Sequence, residues 1–145
     1  MTSQLNVDTI VDKAGSGGSN VKMANTSTYV SDGGNVTQNT VQGLAKAWWS
    51  LNGTGTIAGR DSFNVSSFDD VATGLYDANY TNAMANGNYA FQGTTGVASN
   101  TAYVFAYNSS TVPSTADVRF GCETSNNAAL QDQSYVFGTI NGDLA

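Results

Sequence analysis

Between residues 45 and 139 the apolar and aromatic side chains recur at every second position, in short runs broken by turn-forming residues. Strict period-two alternation is the pattern of a β-strand with one face in a core and the other toward solvent. Ala45, Ala47, Trp49 and Leu51 share one face, with Lys46, Trp48 and Ser50 on the other. Phe63, Val65 and Ser67 alternate with Asn64 and Ser66. Tyr76, Ala78 and Tyr80 alternate with Asp77 and Asn79, and Tyr89 and Phe91 form a short pair. Tyr103, Phe105 and Tyr107 alternate with Val104 and Ala106; Val118, Phe120 and Cys122 alternate with Arg119 and Glu123. Tyr135, Phe137 and Thr139 close the series, opposite Val136 and Ile140. Asn52-Gly53, Asn86-Gly87 and Asn141-Gly142 offer the positive φ angles of tight turns. A short helix over residues 125–133 competes with a loop there. The expectation is an all-β chain, with an antiparallel β-sandwich of jelly-roll-like type over residues 43–145.

Residues 1–42 differ. They hold one of the 15 aromatic residues, Tyr29, and a glycine tract, Gly15-Ser16-Gly17-Gly18-Ser19. Leu5, Val7 and Val11 alternate with Asn6, Asp8 and Asp12, with Ile10 on the opposite face; Val21 and Met23 flank Lys22. This predicts a short strand or hairpin followed by a linker. A lone hairpin is marginal in water, so the segment needs another surface to pack on.

Composition narrows the chemistry. Gly, Asn, Ser and Thr supply a little under half of the 145 residues, and charged residues only 11%. Such polarity without aromatics would suggest disorder; the concentration of Trp, Tyr and Phe after residue 43 argues for a packed core. No His is present, which removes His-dependent triads and His-ligated zinc. The single Cys122 excludes an internal disulfide and a Cys-only zinc site. A net charge of −6 leaves no basic footprint for nucleic acid. The opening residues lack the basic and apolar regions of a signal peptide, and no apolar run approaches the roughly 18 residues of a membrane span. Neither a cofactor nor membrane insertion is expected.

Three features invite a chemical reading. Asp69-Asp70, with Asp61 and Asp77, could chelate calcium or serve as paired carboxylates for glycoside cleavage, but the spacing fits no cation loop, and a solvated turn between strands explains it better. Gly53-Thr54-Gly55 lacks the Lys and helix of a phosphate loop and reads as a hairpin. Cys122 shares a face with Val118 and Phe120, which predicts a buried, inert thiol. No catalytic or metal-binding residue is assigned. Trp48 and Trp49 place one indole on each strand face: one is expected in the core, the other on an outer surface that meets a subunit or stacks on a sugar.

Several ordered strings resemble a domain found at the C-terminal ends of bacteriophage tail-fibre-like proteins, particularly of marine phages. They are Lys46-Ala47-Trp48, Asn52-Gly53-Thr54-Gly55-Thr56 and Arg60-Asp61-Ser62-Phe63-Asn64-Val65-Ser66-Ser67. Thr73-Gly74 with Tyr76, Ala83-Met84, Asn88-Tyr89-Ala90 and the Gly138 to Asp143 ending continue the series. Leu5-Asn6-Val7-Asp8-Thr9-Ile10 resembles the opening strand of such fibres. The resemblance implies a virion structural protein, made in the host bacterial cytoplasm and assembled as a homotrimer. Leu5, Val7, Ile10 and Val11 would attach it to other virion proteins of the capsid, tail or baseplate. The β-domain would face outward toward a host surface glycan, with Trp48 and Trp49 as candidate oligomer or glycan contacts. The stretch before Val41 is short for a fibre shaft, which suits a stubby spike, a head fibre or a capsid decoration protein. A free-standing carbohydrate-binding module is the alternative outside the virion.

Overall fold

The computed structural model describes residues 27–30, 34, 36–96, 103–107 (as backbone), 113–124 and 129–145. The expected strands around Leu5, Val7, Ile10, Val11, Val21 and Met23 lie outside the described residues. The chain divides into two compact units, Met1–Val41 and Gln42–Ala145. In the first, β1 (Thr28–Val30) pairs antiparallel with β2 (Thr37–Asn39), and the Thr40 amide donates to the Ser27 carbonyl at 2.9 Å to close the ladder. The Ser31-Asp32-Gly33-Gly34 turn signal falls between these strands.

The second unit is an antiparallel β-sandwich, with eight strands among the described residues. They are β3 (Ala45–Asn52), β4 (Ala58–Phe63), β5 (Val65–Ala72), β6 (Leu75–Tyr80), β7 (Ala90–Gly96), β8 (Tyr103–Tyr107), β9 (Asp117–Thr124) and β10 (Tyr135–Asn141). One sheet has the order β4-β3-β10-β7 and the other β5-β6-β9-β8. β8 and β9 pair in one sheet while β7 and β10, which flank them in sequence, pair in the other. This nesting is the jelly-roll-like feature of the fold. Among the described residues there is no helix; in the 125–133 stretch, residues 129–133 are a loop with a single bridge, Glu123 to Leu130.

The core lies between the sheets, where alternation predicted it. Ala47, Trp49 and Leu51 of β3 and Val136 and Ile140 of β10 face Tyr76, Ala78 and Tyr80 of β6 and Val118, Phe120 and Cys122 of β9. Trp49 is the central contact, with ring centroids 5.2 Å from Phe120, 5.7 Å from Phe91 and 6.3 Å from Phe68. Each such side chain contributes roughly 1.5–3 kcal/mol by leaving water.

Two local expectations are corrected. Phe63 to Ser67 is not one strand. Asn64 takes a left-handed φ of 57° and turns the chain from one sheet into the other, ending β4 and starting β5. Its amide nitrogen donates to the Lys46 carbonyl at 3.0 Å and the Asn82 carbonyl at 3.1 Å, and its Oδ1 accepts from the Asn82 backbone at 2.7 Å. Apolar alternation in the sequence runs straight through the corner because Phe63 and Val65 stand two residues apart, although Phe63 is exposed on one sheet and Val65 is partly buried on the other. The turn glycines also differ. Left-handed φ falls on Gly34, Gly55 and Gly74, not on Gly53, Gly87 or Gly142. The latter three sit where a side chain would meet the Tyr76 hydroxyl, the Pro113 carbonyl and the Tyr89 Cβ respectively, so close approach, not turn geometry, selects glycine there.

One end of the sandwich is tied by a polar knot. The Gly53 amide donates to the Gln133 carbonyl at 2.9 Å and the Gly74 amide to the Asp132 carboxylate at 2.6 Å. The buried Tyr76 hydroxyl lies 3.1 Å from the Gly53 carbonyl and 3.0 Å from Asp132 Oδ1. These bonds fasten the loop before β10 to two hairpins and satisfy groups that burial would otherwise penalise.

Candidate functional site

The two outer faces of the sandwich have different chemistry, and the register explains why. On the β5-β6-β9-β8 sheet, Asp69, Asp77 and Arg119 lie side by side across β5, β6 and β9. Arg119 donates from Nε and Nη2 to the two oxygens of Asp77, at 2.7 and 2.6 Å. Asn79 donates to Asp69 at 2.8 Å and to the Ser67 hydroxyl at 3.0 Å. These polar groups satisfy one another across the face.

The carboxylates singled out from sequence do not converge. Asp61 belongs to the other sheet, Asp70 lies opposite Tyr76, and Asp77 is engaged by Arg119. The Asp69-Asp70 pair is within β5 and not in a turn, because Asn64 rather than the acidic pair makes the corner. Among the described residues no group of three or more His, Cys, Asp or Glu could hold a metal ion. Cys122 is fully buried, and burial pushes its thiol up to about 11. That keeps it protonated and unreactive.

The outer face of the β4-β3-β10-β7 sheet is aromatic. Trp48 is 38% exposed, whereas Trp49, one residue on, is 2% exposed. The alternation thus resolves the two indoles: Trp49 belongs to the core and leaves the set of contact candidates. Phe63 of β4 stands directly opposite Trp48, and Thr139 of β10 stands opposite it on the other side. Next along the sheet come Asp61, Ser50, Phe137 and Thr94, one from each strand. Phe63, Tyr135 and Phe137 are all exposed. Tyr135 and Phe137 stack at 6.4 Å, and the Arg60 guanidinium lies 4.5 Å above the Tyr135 ring. Its Nη1 also donates to the Leu51 carbonyl at 2.9 Å, fixing the cation over the ring.

Lys46, on the same face of β3 as Trp48, is buried. Its Nζ donates to the Leu44 carbonyl at 2.6 Å, and Asp143 lies near enough to favour its charge. Burial still holds the ammonium below its ordinary range. The row therefore offers aromatic surface with one cation, Arg60, already committed.

Sequence placed Tyr135 and Phe137 on one strand face but did not say which face was outside. The signal was Gly138, between Phe137 and Thr139: a residue without a side chain marks the inner face, where the Trp49 ring takes the space, and so turns Phe137 outward. Beside Phe137, a shallow groove of about 270 Å³ opens between β10 and β7, lined by Gln92, Gly93, Thr94, Phe137, Gly138 and Thr139. Compared with known protein families, curated proteins and solved structures, the chain shows no match.

Proposed function

We propose that the chain is a structural protein of a bacteriophage virion, a short fibre or spike, that adheres to the host surface through its β-sandwich. In this reading the first unit attaches to the particle through Leu5, Val7, Ile10 and Val11, and the chain is a homotrimer. The observation that carries a contact role is the asymmetry of the two outer sheet faces. One closes its polar groups on itself through Asp77, Arg119, Asn79 and Asp69. The other exposes Trp48, Phe63, Tyr135 and Phe137 together. Clustered exposed aromatics are the signature of a contact surface, since water alone leaves them unpaid for. The phage assignment draws on the residue strings from Lys46 to Ser67 and on the opening Leu5 to Ile10. A capsid decoration role would use the same face against the particle instead of the host.

The test is made on virions. Replacing Leu5, Val7, Ile10 and Val11 together with Ser should remove the chain from purified particles while the sandwich still folds. A Trp48→Ala, Phe63→Ala chain should still be incorporated, and the particles should adsorb to cells more slowly. Unchanged adsorption would sink the adhesive role and leave decoration; incorporation of the quadruple variant would sink the attachment role.

A further inference from the structure

We infer that the groove between β10 and β7 is a subsite for one neutral sugar residue of a glycan; this deepens, and rests on, the reading of the aromatic sheet face as a contact surface. The groove's floor is the backbone of Gly93 and Gly138, which are direct partners across the two strands. Its sides are Phe137 and Thr94, opposite one another, and Thr139 and Gln92, opposite one another. At about 270 Å³ it is smaller than the roughly 300–1,000 Å³ of sites for drug-sized ligands. A single sugar ring is of the right scale.

The chemistry of the lining selects the class. No charged side chain lines the groove, so neither an anionic nor a cationic ligand finds a counter-ion there, and either would lose hydration without compensation. A purely apolar occupant would strand the Gln92 amide and the Thr94 and Thr139 hydroxyls. Gln92 and Thr94 have no side-chain hydrogen bond among the described residues, and that of Thr139, to the Ala47 carbonyl, is long at 3.5 Å. Their donors and acceptors are thus available at the rim. Phe137 presents an apolar ring beside them. A neutral sugar matches both halves: its C–H face packs on an aromatic ring while its hydroxyls take the amide and hydroxyl groups at the edge. Tyr135, stacked against Phe137 with Arg60 above its own ring, braces Phe137 at the end of the groove.

The experiment is an amide-shift titration of the isotope-labelled full chain. The probes are the methyl glycosides of glucose, galactose, mannose and N-acetylglucosamine, with sialic acid as the anionic comparison. At least one neutral glycoside should shift the amides of residues 92–94 and 137–139 saturably, and sialic acid should not. Phe137→Ala should weaken that binding by about tenfold or more, and Gln92→Ala by a smaller factor, while Asp69→Asn on the opposite face leaves it unchanged. No shift with any neutral probe, shifts elsewhere, or preference for sialic acid overturns the inference. Shifts at these amides that follow protein concentration instead of sugar overturn it too, and assign the groove to a second copy. Cell adhesion separates this proposal from the broader one. If Phe137→Ala adheres normally and Trp48→Ala does not, the sugar groove fails and the contact face stands; if both adhere normally, both fail.

Discussion

Gly138 and Trp49 are direct partners across β10 and β3, and the indole occupies the space that any side chain at position 138 would need. The largest core residue and the absence of a side chain opposite it are one packing decision. Gly138→Ala should cost about 1–3 kcal/mol or more through overpacking, seen as a lower Tm. Gly96→Ala, where a Cβ meets nothing within 4 Å, should stay within about 0.5 kcal/mol of the parent chain. Equal effects at the two glycines would show that backbone freedom, not the Trp49 ring, sets the requirement.

The adjacent indoles should separate cleanly. Trp49→Ala empties the centre of the core and should cost about 3–5 kcal/mol by denaturant titration. Trp48→Ala removes a ring that is 38% exposed and should cost less than about 1 kcal/mol, while reducing contact with whatever the face binds.

That pair also shows what was legible beforehand. Alternation located β3, β6, β9 and β10 and sorted their residues into two faces, because a sandwich strand repeats one simple rule, but for β3 and β10 it did not say which face was inward. It did not reveal the Asn64 corner, since Phe63 and Val65 keep the two-residue spacing across it while facing out from one sheet and into the other. It could not show that Phe63 and Trp48 share a row, because cross-strand register is a property of pairs far apart in sequence. Nor could it bring Gln92 and Thr94 beside Phe137: polar residues in a strand carry no mark of what stands opposite.

Asn64 should be hard to replace. Asn64→Ala loses the bonds to Lys46 and Asn82 and leaves in the left-handed region a residue that adopts it less readily than Asn; a cost of about 2–4 kcal/mol is expected. Asn64→Gly keeps the φ angle without strain and should cost less. If Gly were no better than Ala, the side-chain bonds would account for the whole effect.

On the opposite face, Asp77→Asn should lower stability by about 1 kcal/mol, as expected for a partly exposed bidentate pair. Asp69→Asn should be neutral or slightly stabilising, because it removes a like charge directly opposite Asp77 while keeping an acceptor for Asn79. Chemical denaturation of the two single variants and the double variant measures the coupling.

Stability should fall with alkalinity. The Cys122 thiol, ordinarily at 9.0, is pushed up to about 11 by burial. In that window the unfolded chain has lost the proton and the folded chain keeps it, so stability is complete below about 9 and declines toward about 11. The thiol's share is on the order of 2 kcal/mol. Burial raises Tyr76 and Tyr80 as well, which extends the decline. Lys46, held low, works in the opposite sense below its ordinary 10.5. Cys122→Val should flatten the fall in Tm between those two pH values; an unchanged slope would assign it to the tyrosines.

The four edge strands carry a further consequence. β4 and β5 lie along one rim of the sandwich and bear charges, Arg60 and Asp61 on one and Asp69 and Asp70 on the other; β7 and β8 line the opposite rim and bear none. Charged edges resist strand addition, so backbone pairing between copies is disfavoured along the β4 and β5 rim and falls to the uncharged edges of β7 and β8.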